Sequence, residues 1–382
     1  MRKHKRILAL VLMLCMVFTM FTGCKKDDST FFSITKEAAA FESYTYVGNG
    51  EITMYGETVN FEVSGKVNGG DWTLGLKLWT ADEEIELAEA LVYVDDSLYV
   101  NLDGILDTVS SYVVGVNFRS VLADIYGIPV GWYEIPMPKG YLALNSDTYK
   151  EYNELGLELL EELLKGIEIK KEKSNFVIEL NSTEQLSIII DNMATYFENN
   201  EQKVMDSITG AQFEKMGDAV CEMLDTYGNA IINVVERLNE EKSLGYSGQE
   251  FEDARASVQE EIVSFKEEMK EIYNEEMQAE FHEAFAEGIA QMRQTAADIK
   301  EYDMGENTVS LKISNSMTGK EGKKEYTVKV EGEAVSSEES VSGVAEFTMK
   351  QENVSISVPE NAYALEDWLY NVLSALYDIS GM

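Results

Sequence analysis

Asp71-Trp72-Thr73-Leu74-Gly75-Leu76-Lys77-Leu78-Trp79 places Trp72, Leu74, Leu76 and Leu78 on one side of an extended chain and Thr73, Gly75 and Lys77 on the other. Period two with polar partners is the mark of an antiparallel strand with one wet face. The preceding stretch repeats it, with Val59, Phe61, Val63 and Val67 alternating against Asn60, Glu62, Ser64 and Lys66. Gly48-Asn49-Gly50, Asn68-Gly69-Gly70 and Asp95-Asp96 are the expected tight turns of this strand-rich region, 31–101, which a helix at about 36–43 leads into.

Working outward, 102–144 predicts short helices near 105–114 and 118–125 and a loop punctuated by Pro129, Pro136 and Pro138. A leucine-rich helix over 146–165 and a strand over 167–180 follow. From 182 to 300 the texture changes: there is no proline, and Ser182-x-x-Gln185, Thr209-x-x-Gln212 and Ser247-x-x-Glu250 read as capping boxes. Three helices with apolar seams are expected, the third running 249–299 with Gly288 as a candidate bend. Strands resume on Val309-Leu311-Ile313, Tyr326-Val328-Val330, Ala345-Phe347-Met349 and Val354-Ile356-Val358. Pro359 ends the last of these, and an amphipathic helix over 361–378 closes the chain.

The fold class expected is α+β: a bent, half-barrel-like antiparallel sheet packed on helices, with an inserted α-helical bundle or coiled-coil arm. The similar texture of 57–67 and 324–332 favours one sheet, 31–181 with 304–382, interrupted by a helical insertion at 182–303. Three consecutive domains are the alternative.

The N-terminus predicts a cellular address. A basic run, Met1-Arg2-Lys3-His4-Lys5-Arg6, precedes an apolar stretch from Ile7 to about Phe21, too short to span a bilayer. It ends at Phe21-Thr22-Gly23-Cys24, which resembles the bacterial lipobox, though with Phe21 where Leu, Val or Ile is usual. The resemblance implies that residues 1–23 are a lipoprotein signal peptide cleaved between Gly23 and Cys24, with a diacylglyceryl group on the Cys24 thiol. Residues 24–30 are then a lipidated tether, and an ordinary secretory signal or uncleaved anchor is the alternative. Two acyl chains hold a protein on a bilayer where one is marginal. Losing Arg2, Lys3, Lys5 and Arg6 takes the net charge from −38 to −42. An extracytoplasmic, membrane-anchored location follows as the expectation.

The body, with the lipidated Cys24, the strands, and Leu91-Val92-Tyr93-Val94-Asp95-Asp96-Ser97-Leu98-Tyr99-Val100, resembles the LolA/LppX-like half-barrel lipoproteins over about 31–181 and 304–358. The helices of 182–300 exceed that family's usual length. The resemblance implies a strongly bent sheet around helices, an apolar cavity, and binding of an acyl chain or apolar peptide. On the residues themselves, a concave face bearing Phe61, Val63, Trp72, Leu74, Leu76 and Leu78 must be covered by something apolar, either the protein's own helices or a ligand. Those six are the candidate ligand-binding residues.

Composition bounds the rest. With 382 residues, 45% hydrophobic, 10% aromatic and only 4 Pro, the chain can bury a core and is not disordered throughout. Sixty-nine acidic residues against 31 basic argue against a nucleic-acid partner, which needs cations facing phosphates. After cleavage His282 is the one histidine, leaving no two-His metal site, and no Gly-x-Ser-x-Gly elbow, P-loop or dinucleotide turn occurs. Glu276, Glu280, Glu283 and Glu287 step along one helix as a solvated face, with Lys266 and Lys270 in i,i+4 reach of neighbouring Glu. Cys221 reads as a small buried hydrophobe, and the helical methionines as seam filler. No catalytic residue, metal or cofactor is expected. The function expected is non-enzymatic, binding a lipid or acyl chain in a sheet–helix cavity. A protein-interaction or spacer role through the helices of 182–300 is the alternative.

Overall fold

The computed structural model describes residues 30–54, 56–82, 84–112, 117–208, 211–272, 275–301, 308–335 and 340–380. The expected leader, Gly23, Cys24 and the tether up to Ser29 lie outside these residues, as do Thr209 and Met304.

Helix α1 (Phe31–Ala39) begins before the expected 36–43, because Thr30 and Ser33 cap it reciprocally: each hydroxyl accepts the other's backbone N–H. Strands β1 (Ser43–Met54), β2 (Glu57–Asn68), β3 (Asp71–Trp79), β4 (Glu84–Val94) and β5 (Ser97–Asn101) form a meander. Asp95 and Asp96, with φ of 52° and 59°, make the two-residue turn between β4 and β5. Gly48-Asn49-Gly50 is not a turn: it lies inside β1, and its two glycines sit beneath aromatic rings. A Cβ at Gly48 would meet the Phe347 ring at 3.0 Å, and one at Gly50 the Phe61 ring at 2.4 Å.

After β5 come α2 (Leu102–Tyr112), a helical turn at Phe118–Ser120 and a π-helical turn at Val121–Ile125. The expected proline-rich loop contains a strand, β6 (Trp132–Pro136), at the sheet's edge, where proline costs no ladder bond. Helix α3 (Asp147–Leu163) is capped by Ser146. The strand expected over 167–180 is a hairpin, β7 (Ile169–Glu172) and β8 (Asn175–Leu180), turning at Lys173 with φ of 58°.

Helices α4 (Thr183–Asn199), α5 (Glu201–Ile208), α6 (Ala211–Lys242), α7 (Gly248–Ile272) and α8 (Glu275–Lys300) follow. The Ser247 box forms, with Ser247 and Glu250 each accepting the other's backbone N–H, whereas Ser182 caps α4 through its hydroxyl alone and the Gln185 side-chain oxygen accepts the Asn181 N–H instead. The break between α4 and α5 at Asn200 was not expected. Gly288 lies within α8. The five helices run out and back. Phe197 of α4 meets Phe285 of α8 edge to face, and Arg293 bridges Asp191 and Glu198. Arg255 of α7 pairs with Glu236 of α6 at 2.7 Å, and Lys266 reaches Asp218 across the helix pair.

Strands β9 (Thr308–Lys320), β10 (Lys323–Val335) and β11 (Ser340–Gln351) complete the sheet, and α9 (Leu365–Ser380) ends the described chain. The strand expected on Val354-Ile356-Val358 does not form, because β11 already has β1 on one side and β10 on the other. Ile356 instead packs against Val92, Val94 and Tyr99, and Tyr363 makes a single parallel bridge to Tyr133 of β6.

The result is one open, eleven-stranded antiparallel sheet, ordered β6-β5-β4-β3-β2-β1-β11-β10-β9-β8-β7, with strands from before and after the helices joined at β1–β11 and at β8–β9. Opposed residues share a face, and the registers carry one apolar face through Leu76, Val63, Gly48, Phe347 and Val328. The main core lies on that inner face at the β8–β11 side. There α1, α3, α4 and the end of α8 cover Ile178, Leu180, Leu311 and Ile313. Leu186, Ile189 and Ile190 of α4 and Ala296 and Ile299 of α8 belong to it, so the helical stretch is rooted in the core. Across the molecule, α6 packs on α9: Lys242 pairs with Asp378, and Arg237 lies over the Tyr370 ring.

Candidate functional site

Between these covered regions, the inner face of β1, β2, β3 and β11 lines an apolar cleft of about 260 Å³ formed by Tyr44, Tyr46, Val67, Trp72, Leu74, Leu144 and Phe347. Each wall has a local cause. Gly65, opposite Tyr46, leaves room for the Tyr46 ring to cross β2, and its hydroxyl donates to the Thr73 carbonyl on β3 at 2.8 Å. A Cβ at Gly65 would stand 2.0 Å from that same carbonyl oxygen. Tyr46 stacks on Phe347 at 5.8 Å, which continues the aromatic wall onto β11. Trp72 stacks on Tyr93 and donates its indole N–H to the Leu142 carbonyl at 3.0 Å. That bond helps hold the loop that brings Leu144 over the cleft. The loop is also tied at Asp96, whose carboxylate accepts the Gly140 N–H at 2.7 Å and the Tyr93 hydroxyl at 3.2 Å.

The electrostatics are one-sided. Burial, with Tyr149 and Tyr46 nearby, pushes the Tyr44 hydroxyl well above the usual phenol range, and burial pushes Tyr46 up to about 12. Both stay protonated at neutral pH. Asp71, next to Trp72, is raised above the usual carboxylate value by partial burial and by Asp95 and Asp96. No lysine or arginine lines the cleft.

Of the six residues expected to bind ligand, Trp72 and Leu74 line this cleft. Phe61, Val63, Leu76 and Leu78 share its face, half-buried, but lie further along the strands, where Phe61 covers Gly50. Tyr44, Tyr46, Val67, Leu144 and Phe347 were not among the candidates. Alternation had placed Phe347 on a strand face with Ala345 and Met349, but only the β1–β11 register brings it to the cleft, and Leu144 comes from a loop without periodicity. Alternation had already placed Val67.

The remaining motifs stay apart from it. His282 Nδ1 lies 2.9 Å from Glu201 Oε1, both exposed on the helices. Cys221 is a buried free thiol on α6. Among the described residues, no three His, Cys, Asp or Glu side chains converge as a metal site, and no helix is long and apolar enough to cross a membrane.

Comparison with protein-family models, curated proteins and solved structures finds no match to this chain. The functional reading therefore rests on the chemistry of the cleft and of the N-terminal sequence.

Proposed function

We propose that this chain is an extracytoplasmic lipoprotein, anchored through a diacylglyceryl group on Cys24, which binds an apolar ligand such as a lipid acyl chain and carries out no chemistry on it. The cleft is the observation that carries the reading: an open apolar concavity of about 260 Å³ on the inner face of the sheet. That volume is just under the roughly 300–1,000 Å³ of small-molecule sites, which suits one chain better than a bulky multi-tailed lipid. A half-barrel bend of the sheet, of the LolA/LppX kind, is the form this reading gives the fold, and α6 with α7 is its helical arm.

Native mass spectrometry of the chain lacking residues 1–23, with Cys24→Ser, tests the binding. Co-purified lipid that disappears on Trp72→Ala is expected, and protein with no bound mass in repeated preparations overturns it. Cys24→Ala in the full chain tests the anchor: release from membranes is expected, and unchanged retention removes it.

A second reading has one observation in its favour. Met216, Leu224 and Ile231 stand 42–45% exposed on α6, a surface for a protein partner. Their substitution by serine would abolish recruitment in that case and leave lipid binding intact.

A further inference from the structure

We infer that Tyr44 is the polar anchor of the cleft and that the ligand is an uncharged acyl ester, whose carbonyl accepts a hydrogen bond from the Tyr44 hydroxyl. The inference rests on the lipid-binding reading and narrows its ligand class.

Three side chains in the lining carry a hydrogen-bond donor. The Tyr46 hydroxyl is committed to the Thr73 carbonyl and the Trp72 indole N–H to the Leu142 carbonyl. The Tyr44 hydroxyl has no hydrogen-bond partner among the described residues, and no such bond contributes to its shifted pKa. A ligand filling the cleft closes that hydroxyl off from solvent, and a donor left unpaired in an apolar surrounding is costly. A pure hydrocarbon imposes that cost, whereas a chain with an acceptor near one end removes it. Tyr44 sits opposite Val67, at the end of the cleft where β2 turns into β3, so the acceptor lies at that end and the chain runs toward Leu74 and Phe347.

Charge then separates the acceptors. A carboxylate would be a strong acceptor, but it would carry its charge into an apolar cleft. No cation in the lining balances that charge. A fatty-acid anion would stand there unpaired, whereas an ester carbonyl carries no charge to balance.

Equilibrium dialysis of the Cys24→Ser chain lacking residues 1–23, against radiolabelled 1-monolauroylglycerol, laurate at pH 8 and dodecane, tests this. The monoester is expected to bind most tightly. Tyr44→Phe is expected to weaken the monoester about fivefold, the size of one net hydrogen bond, and to tighten dodecane, which then buries no unpaired hydroxyl. Tyr44→Phe removes a hydroxyl that no described residue bonds, so the fold is unaffected, and an unchanged thermal midpoint checks this. Equal monoester affinity for Tyr44→Phe and the parent, or laurate binding as tightly as the monoester, overturns the anchor while the lipid-binding reading stands. Failure of all three probes, dodecane included, overturns both.

Discussion

The two halves of the sheet's inner face are built from the same alternating strands and end in different states. In β8 and β9, Ile178 and Ile313 are 0% exposed and Leu180 and Leu311 1%. In β3, Trp72, Leu74, Leu76 and Leu78 remain half-buried. The strands do not account for the contrast, since both halves present apolar residues at every second position. The covering elements do. Helices α1, α3, α4 and the end of α8 lie over β8–β11, whereas the cleft half receives the loop at Leu144 and aromatic rings lying across glycines. A face that folding leaves partly open is where a ligand can add apolar burial, so the difference between the halves is the physical content of the binding proposal.

The largest expected effect breaks the comparison directly. Ile313→Ala leaves a cavity in a sealed core and should cost about 3 kcal/mol or more, while Leu76→Ala, in the half-open face, should cost about 1 kcal/mol. Urea denaturation of both variants checks this, and equal losses would mean the two halves are equally packed. Next comes Tyr46→Phe, which removes the bond to the Thr73 carbonyl and should lower stability by about 1 kcal/mol. Unchanged stability in the same assay would mean that this wall of the cleft is not held by that bond.

The smallest effects contrast in sign. The Asp71 carboxyl is raised in the folded protein by burial and its acidic neighbours. Its ionisation therefore opposes folding, and this opposition is relieved as pH falls through the folded value to the unfolded one. Asp71→Asn should slightly raise the thermal midpoint at pH 7 and make no difference at pH 3. On the sealed side, Lys170 holds the Glu179 carboxyl below its usual value. That contribution is present above the unfolded value and lost as pH falls through the folded one, so Glu179→Gln should slightly lower the midpoint at pH 7 and not at pH 3. Midpoint shifts of the same sign at pH 7 would remove the electrostatic asymmetry.

Much of the strand architecture was legible because period two survives in single strands: Val59 to Val67, Trp72 to Leu78 and Val309 to Ile313 all lie where alternation puts them. Misreadings came where a residue's role depends on a distant partner. Gly48 and Gly50 look like a turn until Phe347 and Phe61 are seen to lie over them. Val354 to Val358 alternates like a strand, yet no sheet edge is free beside β11. The turn at Lys173 lacks glycine and asparagine, and β6 hides among prolines that only an edge strand tolerates. The cleft was half legible for the same reason. Trp72 and Leu74 lie within one strand, but Tyr46 meets Phe347 only through a pairing between opposite ends of the chain.

That pairing has a consequence for biogenesis. Tyr46 and Met349 are neighbours across the β1–β11 seam, so a chain emerging from the ribosome or a translocon delivers β1 long before its mate. Until β11 arrives, one flank of β1 is an unzipped row of amides in the middle of the future sheet, open to wrong pairing. Closing the seam spans nearly the whole polypeptide and therefore comes late and slowly. Residues on β11 should govern the yield of correctly assembled protein out of proportion to their burial.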